Sequence, residues 1–375
     1  MHATTHPIAS EPGIASYQLT TFHYGSAGSG KKAYIQAALH ADEVPAMLVA
    51  HCLKRELDRL DAEGRIRGEI VLAPAANPVG LSQVVHGMPF GRFDLGTGAN
   101  FNRAFRHVAD ELKTTLAGRL GADAAANVAT IRSEARAAVA RWEPLDHVDL
   151  LKKTLLGMAI DADIVLDLHC DNEAVLHLYA GSALAGKATP LAALLGARVV
   201  LLSDASGGEP FDEACGRLWW DLAAHFGPDT PIPPACAAIT VELRGEMEVR
   251  YDLAERDAQA LVQYLAREGV IDLAQGALPP LPEALCAPTP LEGVERLDAP
   301  QSGVLVFLKA LGEQVVAGEA VADIVNPITG HTATVRAQRD GLLFASTAHR
   351  HLLRGMHICK IAGATPFRTG SLLSQ

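Results

Sequence analysis

The 375-residue sequence contains no run of about 18 or more apolar residues, so no membrane span is expected. It also lacks a basic start followed by an apolar stretch. Met1 to Gly13 is polar and broken by Pro7, Pro12 and Gly13, which is not the pattern of a secretory signal. There is no basic excess: 43 acidic against 32 basic residues give a formal charge of −11. Such a chain repels phosphate backbones, so nucleic acid is not expected as a partner, although a local basic pocket for an anionic metabolite stays open. None of the six cysteines forms a Cys-x-x-Cys pair; Cys52, Cys170, Cys215, Cys236, Cys286 and Cys359 are scattered. They read as reduced, mostly buried thiols of a cytoplasmic protein. No long polar segment of low complexity occurs, and with 49% hydrophobic residues disorder is not expected.

The length favours one large domain with a smaller one. Over roughly the first 275 residues, strand-like and helix-like stretches alternate. Ala33 to Leu39, Glu69 to Ala73, Asp163 to His169, Val175 to Tyr179, Arg198 to Leu202 and Ala237 to Leu243 read as strands. Val44 to Leu60, Phe211 to Phe226 and Leu253 to Glu268 read as helices, and the Ala-, Leu- and Arg-rich stretch from Ala104 to Gly157 as more than one. This alternation predicts an α/β sheet covered on both faces. Five prolines between Leu278 and Pro290 then predict a stiff linker. Beyond it, short β-type runs punctuated by glycine predict a small β-sandwich or barrel. The expected organisation is a catalytic domain over 1–285 and a β domain over 286–375.

The strongest chemical signal is His40-Ala41-Asp42-Glu43 at the end of a strand entering a helix. An imidazole and a carboxylate three residues apart can converge on one ion. The strand from Asp163 delivers His169 at its C-terminal end, the edge where α/β sheets build their sites. Two histidines and a glutamate leave the fourth position of a catalytic zinc site open for water. Asp167 faces the same side of the strand as His169 and could hold its imidazole. Glu242, in the apolar run Ile239 to Leu243, is costly to bury unless paired or functional, and suits a base that moves the proton of an attacking water. Arg244, two residues on, is expected on the same face, either binding a substrate carboxylate or pairing with Glu242. Within and just after the glycine-rich loop Gly87 to Gly98, Arg92 and Arg103 offer guanidinium forks for a carboxylate, with Asn102 beside them. His51, His349, His351 and His357 read as surface or structural, whereas His86 could line a cleft.

His40-x-x-Glu43, Asn102-Arg103, Asp167-Leu168-His169 and Glu242, in this order, resemble the succinylglutamate desuccinylase and aspartoacylase family of the zinc carboxypeptidase superfamily, over about residues 30 to 270. The resemblance implies a mixed eight-stranded sheet flanked by helices. It implies one zinc per chain on His40, Glu43 and His169, with Glu242 as general base. It also implies Asn102 and Arg103 gripping a substrate carboxylate and Arg92 polarising the scissile carbonyl. Leu95 to Ala99 departs from the pattern as an insertion, and Arg244 stands where a small residue is expected. The C-terminal stretch, with Gly303-Val304, Leu311 to Glu319 and Gly341-Leu342-Leu343, resembles the biotinyl and lipoyl barrel-sandwich fold, with no lysine near the Asn326 to Gly330 hairpin. The expected function is hydrolysis of the amide bond of a small, carboxylate-bearing N-acyl amino acid, with no membrane partner. A zinc carboxypeptidase acting on short peptides and a non-catalytic metal-binding protein are the alternatives. A homo-oligomer stays open.

Overall fold

Nine strands form the central sheet of the computed structural model, which describes residues 1–9, 16–273 and 278–372. Across the sheet they run His2–Ile8, Tyr17–Gly25, Glu69–Ala73, Lys32–Ala37, Ile164–Asp171, Ala237–Gly245, His177–Ala180, Val199–Leu202 and Thr289–Pro290. The central strands Lys32–Ala37, Ile164–Asp171 and Ala237–Gly245 pair in parallel. Their near-continuous apolar runs are what a sheet covered on both faces requires. One face packs under helices Val44–Ala62, Ala185–Leu195 and Tyr251–Arg267. The other packs under Ala109–Thr115, Ala124–Ala140, His147–Ala159 and Phe211–Phe226. Strand alternation sorts the side chains: Leu166 and Leu168 join the first core and Val165 the second, which puts Asp167 and His169 on the second face. Among the described residues no helix is long and apolar enough to cross a membrane, and all six cysteines are free.

The sheet exceeds the expected eight strands at its edges. His2–Ile8 and Tyr17–Gly25 pair antiparallel along their full length. The polar His and Thr residues of this pair face outward in large part, and only Ile8, Leu19, Thr21 and Tyr24 are fully buried. An edge pair of this kind carries little apolar signal, and Pro7 adds a break, so the sequence reading passed over it. The last strand, Thr289–Pro290, lies inside the proline-rich stretch and pairs in parallel with Leu201 and Leu202. The linker is therefore stitched to the sheet. Gly13, part of the expected polar N-terminus, lies outside the described residues.

The C-terminal part folds as two antiparallel sheets around a shared apolar core that includes Leu297, Leu305, Val321, Ile324 and Ile361. One contains Val294–Asp298, His357–Ala362, Gly341–Ser346 and Gln314–Val315; the other contains Thr332–Arg336, Ala320–Val325, Gly303–Phe307 and His351–Leu352. Val294–Asp298, Thr332–Arg336 and His351–Leu352 were not read from the sequence. Asn326 to Gly330 forms the tip between Ala320–Val325 and Thr332–Arg336, with Ile328 exposed.

The two parts are joined by more than the linker. Glu173 and Ala174, just past the Ile164–Asp171 strand, pair with Ser346 and Ala345 of the C-terminal sheet. A second apolar cluster combines Ala174, Val199 and Leu201 with Leu291, Val294, Leu342, Phe344 and Leu372. Arg350 pairs with Glu173 at 2.8 Å, and Ser346 Oγ donates to the same carboxylate at 3.0 Å. Phe344 is fully buried and sets its ring edge-on to His177 at 5.0 Å. Phe344→Ala should therefore destabilise the whole chain by about 3–5 kcal/mol. Denaturant unfolding followed by circular dichroism together with Trp fluorescence, whose three reporters Trp142, Trp219 and Trp220 all lie before the linker, checks this: coincident transitions at lower denaturant are expected, and a separate earlier transition seen by circular dichroism alone would contradict joint packing.

Candidate metal and catalytic site

The site is assembled where the central strands end. After Lys32–Ala37 the chain turns through Ala38, whose φ of +60° is uncommon for a residue with a side chain. His40 follows, and Glu43 stands as the residue immediately before helix Val44–Ala62, with Pro45 fixing the first turn. Gly91 packs its backbone against this segment: a Cβ there would lie 2.2 Å from the Asp42 nitrogen, and the Gly91 carbonyl accepts from Ala41 N–H at 2.9 Å. Only glycine permits that approach, and it carries Arg92 to the site.

His40, Glu43 and His169 are buried and offer ligand atoms that all lie within 4.8 Å of one another. The Glu43 carboxylate lies between the rings, with Oε1 2.8 Å from His40 Nδ1 and Oε2 2.7 Å from His169 Nδ1. Cys170 N–H also donates to Oε2 at 3.1 Å. Both rings turn Nδ1 inward and Nε2 outward. His40 Nε2 lies 2.9 Å from Asn100 Oδ1, which also accepts the Asn102 backbone N–H, so that oxygen is an acceptor and Nε2 carries the proton. His169 Nε2 lies 3.0 Å from Asp167 Oδ2. Asp167 is in turn held by Gln36, and Gln36 by the Tyr34 hydroxyl, each at 2.9 Å. With Nε2 turned to these partners, both Nδ1 atoms face the Glu43 carboxylate and are the ring nitrogens that could take an ion, the usual arrangement around metal-bound histidines. Two imidazoles and one carboxylate, buried and convergent, fit a divalent metal of the zinc type.

The electrostatics follow from this packing. Burial lowers the His40 imidazole to about 4, with the Arg92 charge acting the same way. Burial also opposes charge on His169, but the Asp167 and Glu43 carboxylates outweigh it and hold that imidazole well above its ordinary value. Burial alone would raise Glu43; the two histidines overcome it and pull the carboxyl far down.

Glu242 sits opposite His169 in the parallel register and lines the same cavity. Its face follows from alternation, since Ile239, Val241 and Leu243 belong to the opposite core. One carboxylate oxygen is buried without a hydrogen-bond partner. Burial, reinforced by the Glu43 charge, pushes its carboxyl up to about 8. Arg92 places a guanidinium nitrogen 3.4 Å from His40 Nδ1 and 3.5 Å from Glu43 Oε1. Asn102 is buried with both amide atoms engaged: Oδ1 accepts from Phe211 N–H at 2.9 Å, and Nδ2 lies 3.3 Å from His169 Nε2. Arg103 is half-buried in the cavity wall, where it donates to the Asn102 carbonyl at 2.7 Å and packs against Gly208.

Arg244 is not in the cavity, contrary to the alternation argument. The strand register shifts between Glu242 and Gly245, and Arg244 has a φ of +66°. The bulge turns its side chain to the opposite face, where it pairs with the fully buried Asp257 of helix Tyr251–Arg267. His86 is exposed and does not line the cavity, whereas His357, read as surface or structural, does.

The cavity holds about 530 Å³. Several of its residues escaped the sequence reading. Beside it, Asn100 holds His40 Nε2, a role that depends on a residue 60 positions away. Asp212 reads as an ordinary acidic first-turn residue; burial, with Glu213 beside it, raises its carboxyl to about 7. Tyr179 comes from a strand, and Val294, Arg296, Lys360 and Leu372 come from the C-terminal part. Lys360 pairs with Asp171 at 2.5 Å, two residues past His169.

Comparison with known proteins agrees with this geometry. Residues 29–142, which include His40, Glu43, Arg92, Asn102 and Arg103, match the model of the succinylglutamate desuccinylase/aspartoacylase catalytic domain. A crystal structure of a succinylglutamate desuccinylase/aspartoacylase family protein from Shewanella amazonensis is similar at a TM-score of 0.81 and 25% identity, covering 96% of this chain and 98% of that one. One of a succinylglutamate desuccinylase/aspartoacylase from Shewanella frigidimarina shares the fold at 0.80 and 24%, covering 96% of each. The product-bound ectoine utilization protein of Ruegeria pomeroyi shares the fold at 0.63 and 17% identity, covering 97% of this chain and 95% of that one. No curated protein matches the chain by sequence. The chain is thus similar to the succinylglutamate desuccinylase/aspartoacylase catalytic domain over the segment that carries His40 and Glu43, and it shares its fold with a protein of that family along nearly its whole length.

Proposed function

We propose that the protein is a zinc-dependent amidohydrolase that cleaves the amide bond of a small, carboxylate-bearing N-acyl amino acid. The observation that carries the reading is the convergence of His40, Glu43 and His169, both Nδ1 atoms inward, beside a Glu242 carboxyl with an unpartnered oxygen in the same cavity. In this reading residues 1–285 form the catalytic unit and 286–375 a β unit that closes one side of the cleft, which favours small substrates over long peptides. Zinc held by His40, Glu43 and His169 would supply Lewis acidity, lowering the pKa of water and polarising the scissile carbonyl.

The chain's own groups do the rest. Glu242 takes a proton from the attacking water and passes it to the leaving amine; burial raises its proton affinity toward the range such a base needs. Arg92 reaches the scissile carbonyl oxygen and stabilises the charge that develops there. Arg103 grips the substrate carboxylate, with Asn102 fixing the wall behind it through Phe211 and His169. Asp167, 3.0 Å from His169 Nε2, orients that imidazole. Arg244 has no part in binding and serves to pair with Asp257.

Three outcomes are expected. Metal analysis of the purified protein should give one zinc per chain, and a His40→Ala, His169→Ala double variant should lose it; undiminished zinc would reject the ligand set. Glu242→Gln should retain zinc and fold but turn over about 10²–10⁴ times more slowly, and a variant keeping more than about a tenth of the rate would require another base. Arg103→Ala should lower kcat/KM on N-acyl amino acids by about 10- to 150-fold, the loss of a charged contact of about 1.5–3 kcal/mol. It should leave the esterified or amidated analogues unaffected; equal losses on both would rule out a carboxylate clamp.

A further inference from the structure

The first turn of helix Phe211–Phe226 brings two adjacent carboxyls to the cavity, and the proposed reaction uses neither. Asn102 fixes this turn through Phe211 N–H, so Asp212 and Glu213 stand beside the segment that carries Arg103. The loop before the helix is tied to the same segment: Ala104 N–H donates to the Gly208 carbonyl at 2.7 Å and Phe105 N–H to the Glu209 carbonyl at 3.0 Å. Gly208 lies directly against Arg103, since a Cβ there would come within 2.8 Å of the Arg103 Cδ. Arg103, Ser206, Asp212 and Glu213 all line the cavity.

Glu213 is only half satisfied. It is 9% exposed, and its Oε1 accepts from Ser206 N–H at 2.6 Å and from the Ser206 hydroxyl. Its Oε2 is buried with no hydrogen-bond partner. Among the described residues neither Asp212 nor Glu213 has an ion-pair partner. Both stand in the first turn of the helix, whose N-terminus favours negative charge. That does not suffice: burial, then the Glu213 charge and then Asp167 push the Asp212 carboxyl up to about 7. A buried carboxylate oxygen without a donor bears the cost of its lost hydration. An anion here would add to the repulsion. A cation that donates hydrogen bonds would answer both the unpartnered oxygen and the crowded charge.

We propose that Glu213, with Asp212 beside it, binds a protonated amine of the substrate. The amino acid half then carries a free ammonium as well as the carboxylate at Arg103, which makes the substrate an N-acyl diamino acid. This rests on the proposed amide hydrolysis, because it assigns a second polar group of the same leaving amino acid. One loop, Ser206 to Glu209, touches both recognition elements: Ser206 holds Glu213 and Gly208 backs Arg103. The two opposite charges of the amino acid are therefore read on one side of the cavity, and a second carboxylate in place of the ammonium is repelled.

The test uses the full-length, zinc-loaded protein and three Nα-acetyl amino acids of nearly equal length: ornithine with an ammonium, glutamine with a neutral amide and glutamate with a carboxylate. A second set, Nδ-acetylornithine and 5-acetamidopentanoate, puts the ammonium next to the carboxylate instead. The expected result is a kcat/KM at least about tenfold higher for the cationic member of one set than for its counterpart without the ammonium, the worth of a charge-assisted hydrogen bond. Glu213→Gln keeps an oxygen for Ser206 and removes the charge, so it should bring that ratio toward unity. Calorimetry with the Glu242→Gln variant reads binding without turnover and should give the same order of affinities. Turnover in which no cationic member leads, or a lead that survives Glu213→Gln, overturns the amine site and leaves amide hydrolysis intact. No turnover of any member, with the cationic ligand still bound tightest, fails the hydrolase reading and leaves the amine site standing. Equal binding of all members without turnover overturns both.

Discussion

The Glu43 carboxylate, buried between two imidazoles that arrive from distant segments, is the constraint around which the molecule is arranged. An ionised carboxyl away from water is tolerated only when its charge is answered by close partners. Here the partners are His40, three residues before it, and His169, brought in by the neighbouring parallel strand. The strands must therefore end in register, and the loops that follow must hold the outer ring nitrogens. Asn100 does this for His40, and Asp167, backed by Gln36 and Tyr34, does it for His169. Most of these deep polar groups are matched in this way, while one Glu242 carboxylate oxygen is left without a partner.

The C-terminal β unit belongs to the same arrangement. It does not hang from a linker: it extends from the residues just past His169, through the pairing of Glu173 and Ala174 with its sheet. Its Lys360 answers Asp171, whose carboxyl falls to about 2 because that ammonium outweighs the cost of burial. Its Leu291, Val294 and Leu372 pack with Val199 and Leu201 of the central sheet in one apolar cluster at the edge of the cavity.

Much of this was legible in the sequence because it is local. Apolar runs marked the central strands, Phe211–Phe226 was readable end to end as a helix, and the strand-end positions of His40 and His169 located the site. These signals depend on periodicity and on which residue terminates a run. His40, Glu43 and His169 stood out by spacing and strand-end position, Glu242 by the cost of burying a carboxylate in an apolar run, and Asp167 by counting by two from His169.

The tertiary structure alone decided what counting could not reach. Arg244 follows Glu242 by two residues, yet a bulge reverses its face and Asp257 takes its charge; no spacing rule registers a change in backbone conformation. The edge strands His2–Ile8 and Tyr17–Gly25 are held by their neighbours rather than by their own apolar content. Asn100, Asp212 and the residues of the C-terminal wall acquire their roles from partners more than 40 positions away. The sequence determined the sheet, the helices and the donors of the site, because these follow from side-chain pattern along one segment. The shape of the cavity and the direction of Arg244 came from packing between segments, which is set by burial and charge pairing in three dimensions.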